Sequence, residues 1–356
     1  MRASPRLLTS THWLQLQAML NLLHLDLLKQ GKLLLAFSGG VDSTALFHLL
    51  RSHNITFDIA HVNYNTRPSS DQEAQSAEDL AHLNQLHCYT HSCRLEGKNF
   101  EHRAREERYT FLKYLVEKHG YTHVLTAHQL NDRLEWLLMQ FCRGSGLPEL
   151  LGVRSIDHRD GMTLIRPLLE HDRDSIEAYL AEYDHSHFID ESNCDDRYTR
   201  NIFRRRFSTP LMQEYREAIK RSFRYLEEDN AALIEEVCIE RIEELYYFSN
   251  PINTHSLIVA VDGILKSLGH VMRGNEKEVL KQEKSLIVGR MYVVIIDQSH
   301  TYIIPYIAEE TMKKEFKEEC RIQKIDPKMR GYLATHPKAY ESIRRLKDDL
   351  KPLQYD

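Results

Sequence analysis

Leu33-Leu34-Leu35-Ala36-Phe37-Ser38-Gly39-Gly40-Val41-Asp42-Ser43 is an apolar strand running into two glycines, and residues 44–50 continue as a helical pattern. Glycines let a backbone turn tightly with its N–H groups facing inward, and a helix beginning at such a turn aims its positive end at an anion. The hydroxyls of Ser38 and Ser43 can add donors. The segment is therefore read as a phosphate cradle formed by Ser38, Gly39, Gly40, Val41, Asp42 and Ser43. It lacks the Lys-Ser/Thr pair of a Walker loop and the third glycine of a dinucleotide fingerprint, which argues against hydrolysis of a γ-phosphate. The bland alternative is a Gly-Gly turn that only connects a strand to a helix.

Outward from this loop the chain alternates. Strand-like runs fall at 32–37, 57–63, 88–95 and 124–128, and helical patterns at 42–53, 70–87, 100–119 and 132–142. That order predicts an α/β fold with a doubly wound parallel sheet, whose ligands sit beyond the carboxyl ends of the strands. The loop 38–43, the segment beginning at His61 and the segment beginning at Ala127 all fall there, so His61 and Ala127 join the expected ATP site. A further strand is expected at 163–169 and a helix at 175–183. From about 210 to 247 the chain reads as mostly helical, with a linker at 248–254. Helices at 257–269 and 276–284 then precede β-rich runs at 285–296 and 301–306. The expected organisation is a first domain over 1–210, a helical linker or substrate region over 211–250, and a small α+β domain over 251–356.

Composition sets the remaining bounds. The 356 residues are 42% hydrophobic, enough for two or three ordinary cores. The Leu-rich stretch 14–28 is interrupted by Gln15, Gln17, Asn21, His24 and Asp26, so it reads as an amphipathic helix rather than a signal peptide or membrane span. Six cysteines without a Cys-x-x-Cys pair suit reduced thiols in a cytoplasmic protein and argue against an iron–sulfur or zinc site. A formal net charge of −5 means that any RNA contact must come from local basic patches.

Asp132 and Glu135 lie three apart near a helix start and share one face, where two carboxylates can meet one cation or amine. The geometry suits Mg²⁺ with ATP. Acidic residues are also favoured in any first helical turn, which is the structural alternative. Arg105 and Arg108, likewise three apart, can hold a carboxylate or phosphate through a rigid fork, or pair with nearby glutamates on a solvated face. Arg197, Arg200, Arg204, Arg205 and Arg206 are interleaved with Tyr198, Phe203 and Phe207. Cations beside stacking rings suit the backbone and unpaired bases of a nucleic acid.

The loop at 38–43 resembles the pyrophosphate-loop signature of the N-type ATP pyrophosphatases. In company with residues 61–67, 104–109, 127–135, 143–146, 166–168, 190–193 and 198–201, in that order, it resembles the tRNA(Ile)-lysidine synthase family through about the first 215 residues. The resemblance implies that ATP adenylates the C2 oxygen of the wobble cytidine in tRNA(Ile) with a CAU anticodon, and that L-lysine then displaces AMP. It implies a catalytic role for 1–210 and tRNA binding by 251–356, ATP and Mg²⁺ as cofactors, no membrane, and leaves room for a homodimer. Asp42, Asp132 and Glu135 match the family's essential acids. Asn193, Arg200 and Asn201 match its pattern beside the basic cluster, so they, with Arg197, Arg204 and Arg205, are the expected tRNA contacts. Asn131, Trp136 and Tyr64 depart from the pattern, where Asp, Thr and His are usual. Alternatives are a tRNA thiolase of the same superfamily, which would need positioned catalytic cysteines, and a nonenzymatic ATP- or tRNA-binding module.

Overall fold

The computed structural model describes residues 20–66, 70–95, 100–188, 199–307 and 312–349. It divides into two compact units, Met1–Glu227 and Glu228–Asp356.

In the first unit helix α1 (Leu25–Gln30) leads into β1 (Leu33–Ala36), α2 (Val41–Ser52), β2 (Phe57–Asn63), α3 (Ser70–Leu83), β3 (Cys88–Ser92), α4 (Phe100–His119) and β4 (His123–Leu125). Of the amphipathic helix expected at 14–28, only residues 25–28 are helical, in α1; residues 20–24 form a bend and a turn, and 14–19 lie outside the described residues. Then come α5 (Leu130–Phe141), the short α6 (Leu147–Leu150), β5 (Ile156–Arg159), β6 (Met162–Ile165) and α7 (Arg173–Glu182). Helix α8 (Thr199–Phe203) passes through a π-helical turn, Arg204–Ser208, into α9 (Thr209–Leu233).

The six strands lie in the order β3-β2-β1-β4-β6-β5, parallel throughout except for β5. Both faces of β1 are covered: Leu33 and Leu35 join a core that includes Phe47, Phe57 and Ile176, while Leu34 packs the other way with Tyr109, Leu112 and Leu164. A strand buried on both faces must be apolar at every position, which explains three consecutive leucines. Strand order reverses between β1 and β4, so the segments leaving these two strands diverge and open a crevice at the sheet's carboxyl edge.

One expected strand is a hairpin. The run at 163–169 stops at Ile165, and β5 pairs antiparallel with β6 through Asp160 and Gly161, whose φ values are 51° and 82°. An Asp-Gly pair with positive φ at both positions is the preferred two-residue hairpin turn.

In the second unit β7 (Glu240–Ile242) and β8 (Leu245–Ser249) precede α10 (Thr254–Ser267), α11 (Gly274–Gln282), β9 (Ser285–Val288), β10 (Tyr292–Ile296), β11 (His300–Pro305), α12 (Lys314–Ile322), α13 (Pro327–Thr335) and α14 (Pro337–Asp349). The sheet is antiparallel in the order β7-β8-β11-β10-β9. Val293 and Ile295 pack with Met329, Tyr332 and Ile343, whereas Val294 packs with Val261, Ile264 and Leu265. The period of two puts helices on both faces.

Two expectations change here. The helical run expected to 247 ends at Leu233, and the stretch 248–254 expected as a linker begins inside β8, with Phe248 paired to Thr301 and 1% exposed. Tyr246, Tyr247 and Phe248 are β-formers, and a sheet partner supplied from fifty residues later decides their state. The run at 285–296 is itself bent into β9 and β10 at Gly289, where φ is 59°. Among the described residues no helix is long and apolar enough to cross a membrane.

Candidate active site

The loop after β1 is braced from within. Ser43 Oγ donates to the Gly40 carbonyl at 3.1 Å, lies 3.1 Å from Ser38 Oγ and accepts from the Ser38 N–H at 3.3 Å. The two hydroxyls thus hold the turn itself. Gly39 has φ of 77°, and a β-carbon there would stand 3.2 Å from the Phe188 ring, whose own N–H donates to the Gly39 carbonyl at 2.9 Å. Both the conformation and the contact exclude a side chain. Gly40 is the N-cap of α2 and offers no side-chain acceptor, so the first-turn N–H groups remain available to an anion.

His61 lies beneath this loop, 3% exposed, with Nδ1 3.1 Å from the Phe37 carbonyl. It buttresses the end of β1 and is not among the residues facing the cleft. Burial lowers its pKa.

The crevice between the segments leaving β1 and β4 is a cleft of about 280 Å³. Ser38, Gly40, Asp42 and Ser43 form one wall and Thr126, Ala127, His128 and Asp132 a second; Tyr64, Arg105, Arg108, Arg200 and Arg204 also line it, together with apolar residues such as Ala36, Val62 and Leu112. Three segments far apart in sequence therefore converge as the sheet topology requires.

Asp42 is the anomaly in this cleft. Its Oδ1 is buried and has no hydrogen-bond partner among the described residues. Burial pushes its pKa up to about 7, the nearby charge of Asp132 adds to the rise, and Arg173 and Arg204 oppose it. Two carboxylates share a water-poor space, and one of them lacks a counter-charge of its own.

Asp132 is set by the helix it starts. Its Oδ2 accepts from the Gln129 N–H at 3.0 Å, and Gln129 Oε1 accepts from the Asn131 N–H at 2.7 Å, so α5 is capped from both directions. Burial alone would raise Asp132, but Arg200, His128, the Gln129 N–H and Arg204 outweigh it and hold the carboxyl below its usual value. His128 Nδ1 lies 2.9 Å from Thr126 Oγ1, and burial first, then Arg166, Arg200 and Arg108, lowers its pKa to about 3. It is a neutral imidazole at physiological pH.

Glu135 lies one turn further along α5, is 1% exposed and does not face the cleft. Arg200 Nε donates to its Oε2 at 2.8 Å, and Arg204 Nε to its Oε1 at 2.6 Å. Arg200 also pairs with Asp132. Positions 200 and 204 are four apart, so both guanidinium groups leave one helical face and clamp the acidic pair. The Arg204–Ser208 π-helical turn follows at once, a local irregularity that often accompanies functional sites. Arg200 and Arg204, expected as tRNA contacts, line the cleft and pair with its acids. Asn201 is 9% exposed. Asn193 and Arg197 lie outside the described residues.

Arg105 and Arg108 face the cleft without a carboxylate partner among the described residues. They and Arg159 surround the Tyr109 ring, with guanidinium carbons 5.0, 5.8 and 4.0 Å from its centre. The glutamates beside them on α4 do not neutralise them.

The three departures from the family pattern now have places. Asn131 Oδ1 accepts from the Arg173 N–H at 3.2 Å, so it joins α5 to α7 and leaves the cleft's acids untouched. Trp136 Nε1 donates to the Glu149 carbonyl at 2.7 Å and packs on Gly152, away from the nucleotide space. Tyr64 does face the cleft, its hydroxyl donating to the Ala104 carbonyl at 2.9 Å. Sequence reading also passed over His128, Thr126 and Phe188. His128 sits inside the stretch 127–135 and Thr126 immediately before it, and their position just past a strand's carboxyl end was the available signal.

Comparison with known proteins gives concordant matches. Residues 10–211 match the PP-loop domain family, ATP_bind_3. A tRNA(Ile)-lysidine synthase of Wolinella succinogenes is 42% identical over 306 residues, covering 86% of this chain and 93% of that protein. The tRNA(Ile)-lysidine synthase of Helicobacter pylori strain J99 is 37% identical over 313 residues, covering 87% and 91%. Among solved structures, the U34-tRNA thiolase NcsA from Methanococcus maripaludis, determined with its [4Fe-4S] cluster, aligns with a TM-score of 0.50 at 17% identity over 63% of this chain and 78% of that one. At that identity the likeness is one of fold.

Proposed function

This chain belongs to the tRNA(Ile)-lysidine synthases, a family of PP-loop proteins, and on that premise we propose that its cleft joins L-lysine to C2 of the wobble cytidine of tRNA(Ile) bearing a CAU anticodon. The observation that carries the assignment to this cleft is the convergence of the open helix start at Gly40, the orphaned Asp42 carboxylate and the arginine-clamped Asp132 on one space.

In the first step the cytidine C2 oxygen attacks the α-phosphorus of ATP, an O–P bond forms, and pyrophosphate leaves. The first-turn N–H groups of α2 receive the negative charge that builds on the departing group. In the second step the ε-amine of lysine attacks C2, the C2–O bond breaks and AMP leaves. An ammonium has no lone pair, so the amine must first give up a proton. Asp132 faces the same space and is the carboxylate placed to hold the ammonium and take its proton, while His128, its pKa lowered to about 3, stays neutral beside it. Arg105 and Arg108, unneutralised, suit the lysine carboxylate or a tRNA phosphate.

The fit of Mg²⁺ is better at Asp42 with Asp132 than at the pair Asp132 and Glu135 read from sequence. Asp42 and Asp132 both face the cleft, and the charge of Asp132 adds to the cost of ionising Asp42, whereas Glu135 is saturated by two guanidinium groups. Bound there, the ion would neutralise phosphate charge during the departure of pyrophosphate. Arg200 and Arg204 already supply the positive charge at Asp132 and Glu135.

The test is incorporation of labelled lysine into a tRNA(Ile) transcript, with and without ATP. ATP-dependent labelling that disappears when the wobble cytidine is replaced by uridine is expected. Folded, ATP-binding protein that incorporates no lysine would overturn the reading.

A further inference from the structure

We propose that His91, Cys93 and Glu107 form a binding site for a borderline divalent metal ion of the zinc class, separate from the carboxylates of the ATP cleft. His91 Nε2, Cys93 Sγ and a Glu107 carboxylate oxygen all lie within 4.8 Å of one another. His91 Nε2 is 2.9 Å from Glu107 Oε1. Zinc binds sulfur at about 2.3 Å and imidazole nitrogen or carboxylate oxygen at about 2.0–2.2 Å, so small side-chain adjustments bring all three onto one ion with a fourth position left for water.

The supports of these side chains are already in place. His91 is at the end of β3 and stacks on Phe111 of α4, ring centres 5.1 Å apart and 25° between planes. Phe111 is one helical turn from Glu107, so the ring that orients the imidazole stands on the helix that supplies the carboxylate. Cys93 is held at both backbone groups: its N–H donates to the Asn63 carbonyl at 2.9 Å, and its carbonyl accepts from Asn65 Nδ2 at 3.4 Å. Asn65 also donates to Ser92 Oγ at 2.8 Å. The thiol is free and half-buried.

A thiolate and an imidazole together select zinc-class ions over Mg²⁺, which takes oxygen ligands. Binding converts the Cys93 thiol to a thiolate, with its proton passing to solvent. Occupancy ties β3 to α4, the helix that presents Arg105 and Arg108 to the cleft. The spacing His91-x-Cys93 carries no metal motif in the sequence; Glu107 reaches it only because β3 packs beside α4.

The test is titration of chelator-treated full-length protein with Zn²⁺ in the presence of millimolar Mg²⁺, with Co²⁺ in a parallel experiment as a spectroscopic probe. One equivalent of zinc is expected to bind and to raise the melting temperature, and Co²⁺ should give a thiolate-to-metal charge-transfer band. Loss of an outer partner of a metal ligand alone costs 10–100-fold in affinity, so Cys93→Ala should weaken zinc binding by about 100-fold or more and abolish the cobalt band. His91→Ala should also weaken binding, and it supplies a second reading should Cys93→Ala fail to fold. Cys142→Ala, at an exposed thiol elsewhere, should change nothing. Absence of saturable zinc binding, or binding that survives both Cys93→Ala and His91→Ala, would overturn the proposal. The readout is independent of lysine incorporation.

Discussion

Asp262 in the second unit and Asp42 in the first are both withdrawn from water, and they are treated in opposite ways. Asp262 accepts from Lys277 Nζ at 2.9 Å and from the Met272 N–H at 3.3 Å, and pairs with Lys266 at 2.7 Å. Burial would raise it, but the two lysines hold it below the usual carboxylate range. Asp297 in the same unit is handled likewise, by the N–H groups of Ser299 and His300 and by Lys347. Asp42 has an oxygen with no partner and a pKa near 7. A satisfied buried carboxylate stabilises a fold, whereas an orphaned one costs stability and persists where a ligand completes it.

The sharpest break between the two regions should come at Asp132, the cleft acid that is both clamped and exposed to ligand. Asp132→Asn is expected to reduce lysine incorporation by about 100-fold or more, with tRNA affinity measured by filter binding little changed. Lost tRNA binding with intact chemistry would place this residue in recognition instead.

Exchanging the two aspartates tests the comparison itself. Asp42→Asn should cut adenylation by about 100-fold while the melting temperature holds or rises, because an uncompensated charge has been removed. Asp262→Asn should cost roughly 2 kcal/mol in denaturant unfolding and leave incorporation unchanged. If both variants lose stability alike, the distinction fails.

The pH response should also differ in sign. Folded Asp42 keeps its proton up to about pH 7, whereas an unfolded aspartate releases it near 3.8. In that window the folded state holds more protons, so the Asp42 contribution to stability falls as pH rises. Asp262, with its lowered pKa, contributes stability that is present above the unfolded value and lost as pH falls through the folded one. For ligand binding, a cation at Asp42 must displace its proton. Affinity for Mg²⁺ with ATP should therefore weaken about tenfold for each pH unit below 7, and Asp42→Asn should flatten that slope in calorimetric titrations.

The smallest effect is expected at Trp136, whose side chain faces the scaffold. Trp136→Phe removes the indole donor to the Glu149 carbonyl and should cost about 1 kcal/mol of stability, with the rate of lysine incorporation unaltered.

Much of the first unit was legible because its signals are local. Three leucines followed by Ser-Gly-Gly mark a buried strand and a phosphate turn, and helix α4 begins and ends where periodicity places it, at Phe100 and His119. The β5–β6 hairpin was legible too, through Asp160-Gly161, but an apolar run at 163–169 masked it. What sequence could not supply was partnership across distance. The pairing of Arg200 and Arg204 with Asp132 and Glu135 left no mark in the sequence, because those partners stand more than sixty positions earlier. Asn131 read as a missing site carboxylate because its actual partner, the Arg173 N–H, is forty-two residues away. Tyr247 read as the end of a helix and Phe248 as the start of a linker because their strand partners lie beyond residue 300.

The most direct test of the orphaned aspartate is transfer of label from α-phosphate-labelled ATP to a tRNA(Ile) transcript without lysine, compared between the unaltered protein and Asp42→Asn at matched folded fractions. The account predicts labelled tRNA with the former and about 100-fold less with the latter. Equal labelling by both would contradict it and would make Asp42 a structural residue of the same kind as Asp262.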